Sequence, residues 1–492
     1  MGDQRKTVSL KINMVLNMTK GIMGILMPLI TFPYVSRTLG VENIGRVSFV
    51  NSIISYFALL AALGSKAYAI SVGPRYRNDK EQMTRFAESI FTINMLFTGI
   101  SYVLLYTLMV LIPKFHGYIA LFVVFSVQII LTTIGVDWIN DIYEDYFYIT
   151  VRTIIFYIMQ LVLLFTFVRT ENDLFKYAVV LVISSNGANI LNHFYTKKYC
   201  KVRLRKDVEW KSYMAPIVLL FATQAMVTIY VSSDITILGF MCDDVSVGIY
   251  HVSVKIYTII KTVVASMVAV SIPRLSSMYG QRRWKMFHLT AQETYHAMLT
   301  ICIPAMIGLI LLRRDIIVLL AGPEYIDAVY PLTILSIAIF FCIGAYFWGQ
   351  AILVPIGHEG ILFKITMLSA VMNIALNLLL IPLWKENAAA CTTLLAEATT
   401  FMMCRYYGKR YVQFNGQVKI GIKILLGCLG IMAVYLLMKM IGVSGKDHIA
   451  AMVFCSTMIY ILIEIIVKNE LFYNGFHTMR MTCKGFLNMI HK

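Results

Sequence analysis

Charge is scarce in this chain. Of 492 residues only 14% are charged, while 59% are hydrophobic and mean hydropathy is +0.73. Soluble domains carry about 25% charged and about 45–50% apolar residues. Too few polar side chains are present to coat soluble domains of this total length. That excludes a cytosolic enzyme, a secreted disulfide scaffold and a disordered chain. Acids are scarcer than bases, 26 against 43, which leaves a net charge of +17. The nine cysteines are scattered and form no CxxC pair. They read as small apolar packing residues, with no case for disulfides or zinc. Catalytic signatures are missing too: no GxxxxGK[ST], no HExxH and no GxSxG. Lack of a nucleotide-binding motif argues against an ATP-driven pump within this chain and leaves a carrier driven by a gradient or by substrate flux. Residues 1–11 are polar and the first apolar run is long enough to span, so no cleavable signal peptide is expected.

What the chain does have is long apolar runs of about 20 residues, the length a helix needs to cross hydrocarbon. Strands of a transmembrane barrel would alternate polar and apolar residues instead. The expected fold is therefore an all-α polytopic membrane protein. Fourteen spans are expected: 12–36, 46–71, 86–112, 117–138, 148–168, 175–195, 213–238, 248–272, 287–312, 328–355, 361–383, 386–404, 420–441 and 448–467. The span 386–404 is the least marked, being short and holding Glu397. Connections are short, and the longest is the basic stretch 196–212. None could hold a soluble catalytic domain.

With the N-terminus inside, the inner segments hold 29 Lys and Arg residues against 10 in the outer ones. This bias predicts both termini in the cytoplasm. It also explains most of the net charge as a topology signal and a contact with anionic lipid headgroups, with no need for nucleic acid.

The chain looks duplicated. Span one ends in SRTLGVENIGRVSF and span seven in TILGFMCDDVSVGIYHVS. Each has Leu-Gly, a short acidic outer loop, then a second Gly opening the next helix. Six spans separate the copies, so both run in the same direction, as in transporters built from parallel repeats. The predicted organisation is an N-terminal lobe (1–196), a basic cytoplasmic linker (197–212), a C-terminal lobe (213–410), and two further helices with a cytoplasmic tail (411–492).

Polar groups inside hydrocarbon are costly and usually face a bundle interior or a wet cavity. Asn13, Asn17, Lys20 and Gly24 fall on one face of span one. They read as a cavity-lining stripe, or Lys20 as a cation that snorkels. In span eight Tyr250, Tyr257 and Lys261 share one face, and His251 and Lys255 a neighbouring one. Lys261 is central in its span and needs water, an acid or an anionic ligand. No acid at matching depth is evident on a neighbouring span, which favours an anion site. Asp234 is a plausible partner for Lys255. Glu293 and Glu397 are candidate proton-coupling acids or hydrogen-bonded structural ones. Glu88 and Glu464 lie near cytoplasmic ends, within reach of water. Arg37 and Arg46 bracket the first outer loop, and could line its mouth or answer a helix dipole. Asn373 and Asn377 share a face of span eleven, where they could bind sugar hydroxyls or a neighbouring helix.

The segments FPYVSRTLGVENIGRVSFVNSIISYF (32–57), DWINDIYEDYFYITVRTIIFYI (137–158), SSDITILGFMCDDVSVGIYHVSVKIY (232–257), IPRLSSMY (272–279) and AGPEYIDAVYPLTILS (321–336) stand in this order along the chain. Together they resemble bacterial polysaccharide flippases of the Wzx type, members of the multidrug/oligosaccharidyl-lipid/polysaccharide exporter superfamily. Trp138 and Glu144 keep the family spacing, and Ile142 stands where the family has Gly. The resemblance implies two six-helix lobes around a central cavity plus two extra helices. It implies a flippase in the bacterial cytoplasmic membrane that moves undecaprenyl-pyrophosphate-linked oligosaccharide to the outer leaflet by alternating access, with H⁺ or Na⁺ coupling and no other cofactor. The protein is expected to be a monomer and no enzyme, with polysaccharide polymerase or export machinery as partners. On that reading Lys20, Arg37, Arg46, Lys255 and Lys261 mark the pyrophosphate path, Asn373, Asn377, Gln224 and Tyr257 the sugar contacts, and Asp234, Glu293 and Glu397 coupling or ion-pair sites.

Other functions fit less well. A cation-coupled multidrug exporter of the same superfamily would favour acids in the cavity, yet span one carries Lys20 and no acid. A lipid II flippase would share the fold and the cationic cavity. A membrane polymerase would need a larger outer loop than any of these, none of which exceeds about 15 residues.

Overall fold

The structure is a computed structural model that describes residues 10–441, 446–469 and 471–472. Within these, the side chains of 10–15, 17 and 446–448 are not described, so the expected stripe residues Asn13 and Asn17 lie outside it. Described elements are helical throughout, with no strand among the described residues. Among the described residues, twelve helices are long and apolar enough to cross a membrane. Two of them are far too long for one crossing. Met18–Ala62 has 45 residues and Glu359–Gly408 has 50. At 1.5 Å per residue these exceed twice the ~30 Å hydrocarbon core. Each breaks at one residue: Gly40 (φ 74°, ψ 170°) and Lys385 (φ 48°, ψ −128°). Those residues sit in the outer loops expected between spans one and two and between spans eleven and twelve. The twelve helices thus account for fourteen crossings.

Large apolar side chains lie exposed along these helices, among them Val103, Val110, Val270, Leu379 and Met440. Buried surfaces hold small hydroxyl and amide residues beside the apolar ones, including Ser36, Ser101, Thr133, Asn192 and Asn377. An apolar exterior with polar groups inside suits lipid, where packing and interhelical hydrogen bonds hold helices together.

The chain forms two compact units, 1–251 and 252–492. In the first, Met83, Phe86, Trp138, Ile139 and Ile142 form a core. Ile142, the departure from the family pattern, fills the space beside Gly73, where an added Cβ would lie 2.2 Å from Ile142 Cδ1. The basic stretch 197–212 packs into this core through Tyr199, Cys200 and Val208, and Arg205 N donates to Thr92 Oγ1 at 2.9 Å. Helix Trp210–Met241, which the repeat assigns to the second lobe, lies within the first unit by its contacts. In the second unit, the last two helices pack on helix Trp284–Leu320 through Ile420, Ile424, Ile431 and Tyr460 against Leu299, Ile303 and Ile307.

Candidate functional site

Three polar centres lie on or between the membrane-spanning helices. The first is a seam in the first unit where the two repeat motifs meet. A Cβ on Gly45 would fall 1.8 Å from Asp244 O, and one on Gly248 would fall 2.1 Å from Val41 O. Only glycine permits so close a backbone approach. Polar side chains close the seam. Arg46 Nε lies 3.2 Å from Asp244 Oδ2, and Arg46 also pairs with Glu42 at 2.5 Å. Tyr118 Oη donates to Asp244 Oδ1 at 2.7 Å, and Lys114 Nζ donates to Cys242 O at 3.0 Å. Ser55 and Ser232, and Tyr56 and Thr236, continue the contact at 3.3 and 3.1 Å. Arg46 is thus an ion-pair partner in the seam. Arg37 lies exposed nearby in sequence.

The second centre is also in the first unit. Arg152 donates to Asp137 Oδ1 at 2.8 Å and to Asn192 Oδ1, while Asn192 Nδ2 donates to the same Asp137 oxygen at 3.1 Å. Lys66 Nζ stands 3.4 Å from Asp137 Oδ2 and 3.8 Å from Asp141 Oδ2. Lys20 is half-buried within electrostatic range of Asp141. Neither Lys66 nor Arg152 is among the residues singled out from the sequence. The i, i+4 spacing of Asp137 and Asp141 on one helix face was the available signal.

The third centre lies in the second unit. Lys261 Nζ is 3.8 Å from Glu397 Oε1, and Tyr257 Oη donates to the same oxygen at 3.4 Å. Lys261 Nζ also sits 5.5 Å from the Tyr257 ring centroid, within cation–π range. The buried thiol of Cys342 borders both residues. This corrects the expectation that no acid matches Lys261 in depth. The acid comes from the twelfth span, far away in sequence, because the unit folds that span against the eighth.

Further corrections follow from burial. Asn373 and Asn377 are buried, Asn377 Nδ2 donates to Asn373 Oδ1 at 3.2 Å, and Thr392 Oγ1 donates to Asn377 Oδ1 at 2.5 Å. They tie the two halves of a broken helix together rather than offering amides to a sugar. Glu464, expected to reach water, is fully buried and accepts from Asn469 Nδ2 at 2.7 Å. Asp234 is buried and accepts from Tyr250 Oη at 2.7 Å. Lys255 is half-buried with no ion pair among the described residues. Gln224 and Glu293 are exposed. Among the described residues no group of three or more His, Cys, Asp or Glu could hold a metal ion.

Outside the membrane-spanning segments, Asp145 accepts from Tyr195 Oη at 2.7 Å, Tyr199 Oη at 2.6 Å and Lys198 Nζ at 2.8 Å. Burial pushes this carboxyl up, but the Lys198 ammonium and the two phenols outweigh it and hold it down at about 2. Glu144, one of the family-spaced residues, takes φ 55° and pairs with Arg77 at 3.0 Å.

Comparison with known proteins places this geometry. The family of polysaccharide biosynthesis proteins matches residues 10–279, and the MatE family matches 216–379. A protein of Escherichia coli (strain K12) assigned as an O-antigen transporter is 24% identical over 76% of this chain and 90% of its own length. The inward closed conformation of the lipid II flippase MurJ superposes with a TM-score of 0.74 at 16% identity, covering 94% of this chain and 99% of that one. An inward-facing multidrug resistance MATE transporter of the MOP superfamily gives 0.56 at 13% identity, covering 81% and 94%. These two structures share the fold. The chain belongs to the polysaccharide biosynthesis protein family, as a Wzx-type member of the multidrug/oligosaccharidyl-lipid/polysaccharide exporter superfamily, and is a multi-pass bacterial membrane transporter.

Proposed function

We propose that the protein flips undecaprenyl-pyrophosphate-linked oligosaccharide repeat units from the inner to the outer leaflet of the cytoplasmic membrane by alternating access, for polysaccharide biosynthesis. The observation that carries this reading is Lys261. It lies mid-helix among membrane-spanning segments, its side chain is 36% exposed, and its acid partner is 3.8 Å away. A cation held this loosely keeps hydrogen-bonding capacity for an anion. The cargo needs such a group. Its pyrophosphate and sugars cannot cross hydrocarbon alone, because each unpaired polar group costs several kcal/mol there. The assignment of the Escherichia coli relative as an O-antigen transporter supports the same cargo class.

In this reading Glu397 is the coupling acid. While ionised it holds Lys261, and H⁺ or Na⁺ arriving at Glu397 frees the ammonium for the pyrophosphate. Lys255 is the second cation on the path. The Gly45–Gly248 seam closes the outer end and parts in the outward-facing state. The excess of Lys and Arg in alternate loops supports cytoplasmic termini. The protein works as a monomer that hands its cargo to the polymerase and export machinery. No site on the path binds too tightly, since the carrier must shift between two populations.

The test is the leaflet sidedness of lipid-linked oligosaccharide, compared in whole cells and inside-out vesicles with and without the gene. Finished repeat units trapped on the cytoplasmic leaflet are expected on deletion. Normal flipping with unpolymerised units outside would reject the reading in favour of a polymerase-linked role.

A further inference from the structure

The second unit carries a cation cluster that the transport path does not use. At the C-terminal end of helix Glu359–Gly408, Arg405, Lys409 and Arg410 line a cavity of about 420 Å³ together with Trp348, Phe414 and Gln417. No acidic residue lines it. None of the three cations has an ion pair among the described residues. Their described head-group contacts are with aromatic side chains: Arg405 over Phe401, Lys409 over Tyr406, and Arg410 over Tyr406 and Tyr407, with Arg410 Nη2 donating to Tyr406 Oη at 3.0 Å. Three like charges around one cavity repel one another unless an anion sits among them.

The cavity is built rather than incidental. Its floor residue Trp348 belongs to a π-helical turn, Phe347–Leu353, a local distortion found often at functional sites. Trp348 is 2% exposed, and its ring lies against that of Tyr295, 5.8 Å between centroids. Its ring packs 5.2 Å from that of Phe414, which also stacks on Tyr295 at 4.9 Å. The loop that closes the cavity is tied at both ends. His358 Nε2 and Tyr411 Oη are 2.6 Å apart, and Asn415 N donates to Gln292 Oε1 at 3.1 Å. The next helix, Gln417–Met440, starts at the cavity with no side-chain cap at Gly416. Its free N–H groups add to the positive field.

The flanking helices, Glu359–Gly408 and Gln417–Met440, both span the membrane. The cavity therefore sits at a membrane edge, where the available anions are phosphates on lipids. We propose that this cavity binds the phosphate of an anionic membrane lipid, with Arg405, Lys409 and Arg410 as its charge partners. Two lipids could supply that group: an anionic phospholipid resident at the edge, or a polyprenyl pyrophosphate awaiting transport.

The test uses the full-length protein in nanodiscs and reads lipid retention by native mass spectrometry, with phosphatidylglycerol against phosphatidylethanolamine as probes. Preferential retention of phosphatidylglycerol is expected, falling tenfold or more in the Arg405→Gln, Lys409→Gln double variant. If the double variant does not fold, Lys409→Gln alone is expected to lower retention several-fold. Lys261→Ala, which leaves the cavity intact, is expected to keep full retention, so failure of this proposal is distinct from failure of the flippase reading. Displacement by undecaprenyl pyrophosphate at equal mole fraction would support the proposal with the polyprenyl lipid as source, and resistance to it would support a resident phospholipid. Equal retention of the two phospholipids, or retention unchanged in the variants, would overturn it.

Discussion

Two cations among the membrane-spanning helices meet their counter-charges in opposite ways. Arg152, in the first unit, is 10% exposed, lies 2.8 Å from Asp137 and shares that carboxylate with Asn192 and Lys66. Lys261, in the second, is 36% exposed and stands 3.8 Å from Glu397, itself 8% exposed. A planar guanidinium suits a fixed network of short bonds, whereas an ammonium on a flexible stem can leave one partner for another. The first arrangement is closed: each charge is answered, and a ligand would have to break bonds to enter. The second has an open side. The comparison assigns Arg152 to holding the fold and Lys261 to exchanging partners.

The largest expected effect comes from breaking the closed network. Arg152→Ala leaves Asp137 with the more distant Lys66 as its charge partner and the Asn192 amide as a neutral donor, and losing one partner of a buried pair costs about 3–5 kcal/mol. Yield and melting temperature of the purified protein should fall sharply, with any transport loss following the amount of folded protein. Adding Asp137→Ala should recover part of the stability. A stable Arg152→Ala protein that fails only in transport would reverse the assignment.

Lys261→Ala is expected to do the opposite. Membrane insertion and protein level should stay near wild type while export falls tenfold or more, equivalent to about 1.4 kcal/mol. Glu397→Gln removes the charge that holds Lys261 and should make export less dependent on the coupling gradient. Export by Lys261→Ala equal to wild type at equal protein level would remove Lys261 from the path.

The contrast between these residues was only half legible in the sequence. Hydrophobic runs gave the helices because each crossing needs its own apolar length, and even the two merged helices break where loops were expected, at Gly40 and Lys385. The repeat motif pointed to Gly45 and Gly248 as equivalents, though not to their contact. Pairing was hidden wherever the partner came from a distant span. Lys261 was matched for depth against neighbouring spans, while Glu397 lies 136 positions away. Asn373 and Asn377 were placed on one face by spacing, but Thr392 reaches them only because the chain breaks at Lys385. Glu464 looked solvent-accessible near the end of a span. It is buried because the last two helices close around it, with Gly427 leaving room beside its carboxylate. Trp348 and Arg405 carried no motif, since their cavity forms only when the 411–416 loop folds back.

The seam tests the same division at intermediate cost. Gly45→Val would place a Cβ 1.8 Å from Asp244 O, so the two segments must part. Overpacking of this kind costs about 1–3 kcal/mol. Labelling of a cysteine placed at Val41 by a membrane-impermeant maleimide should rise several-fold, and export should drop because the closed outer state is lost. Arg46→Ala, whose side chain is 41% exposed, should shift labelling far less, by the ~0.2–1 kcal/mol of an exposed ion pair. Equal effects of the two variants would mean that charge, not backbone approach, holds the seam.

The smallest effect lies outside the membrane and extends the closed type of site to a loop. Asp145 is held at about 2 by Lys198, Tyr199 and Tyr195 against the upward push of burial. A carboxyl with a depressed folded value contributes stability that is fully present above its unfolded value near 3.9 and is lost as pH falls through the folded one. The clamp on residues 143–146 should therefore stay constant from pH 8 to about 4 and loosen between 4 and 2. Lys198 is 43% exposed, so its ion pair is worth about 1 kcal/mol or less. Asp145 also caps the helix Tyr146–Phe167 by accepting from Tyr148 N at 3.3 Å, a role that Asn can keep. Asp145→Asn thus removes the charge and spares the cap. At pH 7 its loop amides should exchange hydrogen as fast as those of the wild type near pH 2, after correction for intrinsic exchange. Protection that changed between pH 5 and 8 in the wild type, or matched it in the variant at pH 7, would show that the stacked Tyr143–Tyr199 and Tyr148–Tyr195 rings hold the loop without the charge.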